Sequence, residues 1–198
     1  MKKKIILFVF EDFAEEGPAS ALNGISKSCE FEIQTLALKK SPVRSQGGLN
    51  VIPDLDFLSD DDLDDIENWN TALLILPGGS GWRTEPVIGV APLVRHCMKN
   101  GIPVAAIGEA TVFLADLGLL DQIPHTSDSA DYLQHNSGAY RGWFCYRESA
   151  AFRTRTLITA GRLESRAFAL EIFKALDVLP PAGISGWASI PEVSMTGS

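Results

Sequence analysis

Apolar residues fall in short unbroken runs, and the stretches between them show helical spacing. Lys4–Phe10 lacks polar alternation, which predicts a strand buried on both faces. Glu15–Ser28 follows with Ala19, Leu22 and Ile25 spaced as one helical face. Phe31–Leu38 alternates Phe31, Ile33 and Thr35 against polar neighbours and reads as a strand; Ser45–Pro53 reads as a Gly-containing turn plus a short strand. Thr71–Leu76 is another buried-type strand, closed by Pro77-Gly78-Gly79-Ser80-Gly81. The pattern then predicts a helix over Pro92–Asn100 that stops at Gly101, a strand over Val104–Ile107 and a helix over Ala110–Leu117 that stops at Gly118. His125–Gly138 is polar and irregular, and Tyr140–Arg147 reads as extended. Thr156–Ala160 is the next strand, and Glu164–Leu176 a helix with Phe168, Ile172 and Leu176 on one face. Such alternation predicts an α/β domain with a mostly parallel sheet covered on both faces, spanning residues 1–179, with a Pro-, Gly- and Ser-rich tail over 180–198.

Composition narrows the partners. The 198 residues suffice for one domain with a proper core. A net charge of −8 argues against sequence-independent binding of nucleic acid phosphates. Asp54–Glu67 carries much of the acid; it lacks the loop pattern and glycine of an EF-hand and reads as a solvated helical surface with Ser59 as N-cap. No run is apolar for the ~20 residues that cross a bilayer. The apolar run after Met-Lys-Lys-Lys ends at Glu11-Asp12 without a small-residue cleavage site, so a signal peptide is not expected. Cys29, Cys97 and Cys145 are odd in number and widely spaced, which fits a reducing cytoplasm, and no cluster reads as a metal site.

Four strings, in order, carry a family resemblance. They are Glu11-Asp12-Phe13-Ala14-Glu15-Glu16; Leu74-Ile75-Leu76-Pro77-Gly78-Gly79 with Trp82; Ala105-Ala106-Ile107-Gly108-Glu109-Ala110-Thr111 with Gly118-Leu119-Leu120-Asp121; and His125-Thr126-Ser127. Leu157-Ile158-Thr159-Ala160-Gly161 and Phe168-Ala169-Leu170-Glu171-Ile172 follow. Together they resemble the ThiJ/PfpI superfamily, closest to its bacterial putative glutamine amidotransferase and intracellular protease/amidase group. The resemblance implies a flavodoxin-like three-layer sandwich of the class I glutamine amidotransferase type, a homodimer, and no cofactor.

The same resemblance exposes two departures. The family places a reactive Cys at the sharp strand-to-helix turn, where this chain has Gly108, and a partner Glu where the best match is Gly17, one place after Glu16. A His follows the Cys in protease-like members; here it is Glu109. Thiolate chemistry cannot run from a glycine. Gly78 and Gly79 present backbone amides suited to an oxyanion, or simply make a tight turn. Glu109 and Glu16 suit acid–base work if they share a pocket, or else a helix-dipole carboxylate and a solvated residue. His125 belongs to a region that lies near the pocket in many relatives, or is a structural histidine.

Three readings stay open. The first is a pseudoenzyme of this family that binds a small polar metabolite at a pocket of Gly108, Gly17, Gly78, Gly79 and the two carboxylates. The second is a non-thiol hydrolase or hydratase using Glu109 and Glu16. The third is the family's amidase label by homology alone.

Overall fold

The computed structural model describes residues 2–57 and 69–178. Its frame is a seven-stranded sheet of order β10-β11-β9-β7-β1-β3-β6. The strands are β1 (Lys3–Phe8), β3 (Phe31–Ala37), β6 (Leu55–Asp56), β7 (Thr71–Leu76), β9 (Val104–Ile107), β10 (Ala151–Arg153) and β11 (Leu157–Ala160). All neighbours pair in parallel except β10 against β11. Ile5, Phe8, Leu73, Ile75, Val104 and Ala106 are fully buried, as expected of strands packed on both faces. This is the mostly parallel sheet that the apolar runs predict, in the flavodoxin-like arrangement that the resemblance implies.

Helices α1 (Glu16–Ile25), α2 (Glu85–Ile88), α3 (Ala91–Lys99), α4 (Glu109–Asp116), α5 (Ala130–Asn136) and α6 (Ser165–Leu176) connect and cover the strands. α1 packs on α6, and Gly24 leaves room for the Phe173 ring against the α1 backbone. Ala110–Ala115 of α4 are buried because β9, Gly78–Gly79, the Ser80–Arg83 turn and α5 all pack against this helix.

Three local expectations are corrected. His125–Gly138 contains a real helix, α5, whose N-cap Ser129 accepts from the Tyr132 amide at 2.9 Å. Tyr140–Arg147 is not extended: Trp143–Cys145 forms a 3-10 turn. Asp54 does not open a solvated helix. Its carboxylate accepts from the Thr35 amide and hydroxyl, both at 2.8 Å, and so ties the short edge strand β6 to β3. The remainder of the acidic stretch, with its Ser59 cap, and the 180–198 tail lie outside the described residues.

Two small pairings complete the frame near the site. β2 (Phe13–Ala14) runs antiparallel to β8 (Gly78–Gly79), and β4 (Val43–Arg44) to β5 (Asn50–Val51). Among the described residues no helix is long and apolar enough to cross a membrane.

Candidate functional site

In a doubly wound sheet the chain leaves β1 in both directions, and ligands favour the crevice beyond the carboxyl ends of the strands there. The segments leaving β1, β7, β9 and β11 all meet at that edge. They enclose a pocket of about 180 Å³ that Glu16, Gly17, Gln46, Gly78, Gly108, Glu109 and Arg162 help to line.

Gly108 is the corner of this pocket. It follows β9 directly and holds φ 61° and ψ −126°, a conformation that side chains resist. Its N–H donates to the Ala160 carbonyl at 3.1 Å, which extends the β9–β11 ladder by one residue before the chain turns. Its carbonyl accepts from the Thr111 amide at 2.9 Å and the Thr111 hydroxyl at 2.7 Å. That hydroxyl also meets Ser127 Oγ at 2.7 Å, so the turn is braced from beneath by buried polar groups. A Cβ on Gly108 would stand 3.0 Å from Arg162 Cβ and 3.3 Å from its Cα. The space over the corner therefore belongs to the chain leaving β11.

Glu109 opens α4, where the helix dipole favours a carboxylate. Its Oε2 accepts from the Gly79 amide at 3.1 Å. Gly78 permits this approach, since a Cβ there would lie 3.0 Å from the same oxygen. Gly79 itself, at φ 131°, threads between neighbours: a Cβ would come within 2.8 Å of Phe13 Cα. The amide that sequence reasoning assigns to an incoming anion thus already faces an internal one.

Glu16 is exposed at the start of α1, beside buried Gly17, whose lack of a side chain seats the helix on Ile107. Arg162 is the pocket's sole cation among its lining residues. Its amide donates to Asp128 Oδ1 at 2.6 Å and its Nε lies 3.3 Å from Asp128 Oδ2, which orients the guanidinium while leaving it 60% exposed. Sequence reasoning missed Arg162 and Gln46. Arg162 was findable, since Ala160-Gly161-Arg162 leaves the carboxyl end of a buried strand. Gln46 sits in the β4–β5 loop, and nothing in its local pattern points to the pocket.

Glu16, Gly17, Gly78, Gly108 and Glu109 are brought together, with Gly79 adjoining through its bond to Glu109. His125 is not among them. It is fully buried, with Nδ1 2.7 Å from the Ile123 carbonyl and Nε2 2.8 Å from the Tyr140 hydroxyl. Burial lowers its pKa, outweighing the bond to Ile123. It is a structural histidine, satisfied at both ring nitrogens.

None of the three cysteines lines the pocket. All are free: Cys29 exposed, Cys145 half-buried, and Cys97 buried with its thiol pushed up to about 12 by desolvation. Among the described residues, no group of three or more His, Cys, Asp and Glu side chains is placed to hold a metal ion.

The architecture and the chain's relatives agree. The chain is 28% identical over 192 residues to the uncharacterized protease YoaZ of Bacillus subtilis, covering 93% of this chain and 89% of that one. It is 26% identical over 182 residues to the uncharacterized protease YdeA of the same organism, covering 92% and 87%. A crystal structure of a DJ-1 superfamily protein from Agrobacterium tumefaciens superposes with a TM-score of 0.81 at 27% identity, covering 94% of this chain and 96% of that one. A thiJ/pfpI family protein from Bacillus anthracis superposes with 0.79 at 26% identity, covering 94% and 89%. The DJ-1/PfpI family model matches residues 3–175, and the chain belongs to that family.

Proposed function

We propose that this protein is a DJ-1/PfpI member without thiol catalysis, which binds a small polar metabolite in the pocket around Gly108. The observation that carries the reading is the corner itself. It keeps the sharp backbone that supports a nucleophile in this family, bears no side chain, and has no sulfur among the residues lining its pocket. The pocket offers one cation, two carboxylates and the Gln46 side chain, a set suited to a small molecule with both donor and acceptor groups. On the resemblance, the working form is a cytoplasmic homodimer.

A thermal-shift panel of polar metabolites tests the reading. A binder at ~100-fold above its Kd stabilises by about 2.7 kcal/mol. Arg162→Gln and Glu16→Gln are expected to abolish that shift. Hydrolytic turnover that iodoacetamide abolishes would refute the absence of thiol chemistry.

A second reading, a hydrolase or hydratase activating water with Glu16 and Glu109, is favoured by one observation: both carboxylates line the same pocket. Against it, one oxygen of Glu109 is committed to the Gly79 amide. Turnover lost in both Glu16→Gln and Glu109→Gln, yet resistant to iodoacetamide, would select it.

A further inference from the structure

Two asparagines in this chain are followed by glycine: Asn23-Gly24 and Asn100-Gly101. Such a pair has a chemistry of its own. Glycine has no side chain to shield its main-chain nitrogen, so that nitrogen can close a five-membered ring on the preceding side-chain amide. The fold treats the two pairs differently.

Asn23 and Gly24 lie inside α1, where main-chain amides are bonded along the helix. A Cβ on Gly24 would fall within the Phe173 ring, so this stretch is pressed directly onto α6. Turning the Gly24 amide toward Asn23 therefore requires α1 to unwind and lift. Asn100 and Gly101 stand just past the end of α3, and both are exposed. Asn100 caps the helix at φ −90° and ψ 7°, and Gly101 takes φ 74° with nothing within 4 Å of where a Cβ would stand. The Gly101 amide donates to the Met98 carbonyl at 3.3 Å, a long bond at a helix end. Breaking it and rotating about the Asn100 ψ brings the amide to Cγ.

A second observation singles out the same pair. His96 lies one turn earlier on α3, and its Nε2 is 3.0 Å from Asn100 Nδ2. Ring closure expels that nitrogen, and imidazole is the side chain that exchanges protons near neutral pH.

We propose that Asn100-Gly101 is a site of self-modification, where the asparagine becomes aspartate and isoaspartate with His96 as proton donor to the leaving group. The Gly101 nitrogen gives its proton to water and bonds to Cγ. Nδ2 thereby becomes an amine, takes a proton from Nε2 of protonated His96, and leaves as ammonia as the Cγ–Nδ2 bond breaks. The proton shed to water returns to the ring. Water then opens the cyclic imide at either carbonyl, giving aspartate or an isoaspartate whose main chain is longer by one methylene. One ammonia leaves, one water enters, and nothing is oxidised or reduced. Either product puts a negative charge at the C-terminal end of α3, where the helix dipole opposes it. Isoaspartate also displaces the Gly101–Met98 bond and the 2.9 Å bond from the Ile102 amide to the Cys97 carbonyl, which together turn the chain toward β9. The inference is independent of the metabolite reading, since neither His96 nor Asn100 lines the pocket around Gly108.

Incubation of the full chain at physiological pH and temperature, with peptide mass spectrometry and enzymatic methylation of isoaspartate, tests the proposal. In the native protein Asn100 is expected to convert, while Asn23 survives at least about tenfold longer because its neighbour's amide is freed only when α1 opens. In urea, where both pairs are unfolded, the two rates should converge. His96→Gln keeps a hydrogen-bonding side chain but cannot deliver the proton. It should slow native Asn100 about tenfold, less than a fully enclosed acid would, and leave the rate in urea unchanged. Continued protection of Asn23 in that variant reports an intact fold. The proposal is overturned if native Asn100 stays intact while it converts in urea, if native Asn23 converts as fast as Asn100, or if His96→Gln leaves the native rate unchanged.

Discussion

Placing a methyl group on Gly108 is the most direct test of the corner. Gly108→Ala forces a side chain into φ 61° and ψ −126°, a sparsely populated region outside the left-handed helical well, which costs about 1–3 kcal/mol. The new Cβ would also stand 3.0 Å from Arg162 Cβ, and pushing that segment back costs about 1 kcal/mol more. The unfolded chain becomes stiffer, which returns about 0.4–1 kcal/mol. The net loss is therefore about 2 kcal/mol. Gly101→Ala provides the comparison. Gly101 has φ 74° after α3, but a Cβ there meets nothing within 4 Å, so only the backbone cost applies, about 1 kcal/mol net. Urea denaturation with coincident fluorescence and circular dichroism measures both. With a slope of about 2 kcal/mol per molar, the midpoint of Gly108→Ala should fall by about 1 M and that of Gly101→Ala by about half as much. Equal midpoints for the two variants would show that Arg162 does not crowd the corner, and the account of a space filled from β11 would fail.

Two further outcomes follow from buried titratable groups. His125 has a lowered pKa in the fold against an ordinary 6.5, so the unfolded chain takes up its proton first; its contribution is full above about pH 6.5 and is lost as pH falls toward the folded value. Urea midpoints should therefore fall less between about pH 7 and pH 5 in His125→Gln than in the parent, and parallel slopes would refute this. Cys97, with its thiol near 12, should resist iodoacetamide in the native protein while Cys29 reacts, and peptide mass spectrometry should find Cys97 modified only after denaturation; early labelling of Cys97 would contradict its burial.

The sheet was legible because β1, β7, β9 and β11 are buried on both faces and so are written as unbroken apolar runs. Elements held by side-chain bonds left weaker traces. α5 depends on one Ser129 cap and buries only Leu133, so its polar sequence reads as a loop. β6 exists because Asp54 grips Thr35 across nineteen positions, a pairing no local pattern carries. In the candidate site, the glycines and the two carboxylates were visible as interruptions at strand ends. His125 was misplaced because its neighbours in sequence approach the pocket while its ring turns inward to Tyr140. Arg162 was findable from its place just past a buried strand, but its crowding of Gly108, far away along the chain, was not.

The bond from the Gly79 amide to Glu109 sets a condition on any attempt to arm this scaffold. A sulfur installed at the corner by Gly108→Cys would attack a carbonyl whose oxygen gains negative charge, and the Gly79 amide, one donor suited to that charge, is already held by a carboxylate. Like charges would then meet at the moment of reaction, so the lone replacement should yield a thiol that alkylates but does not turn over. Recovering catalysis would require a neutral residue at position 109 as well, and the two changes should be far more than additive.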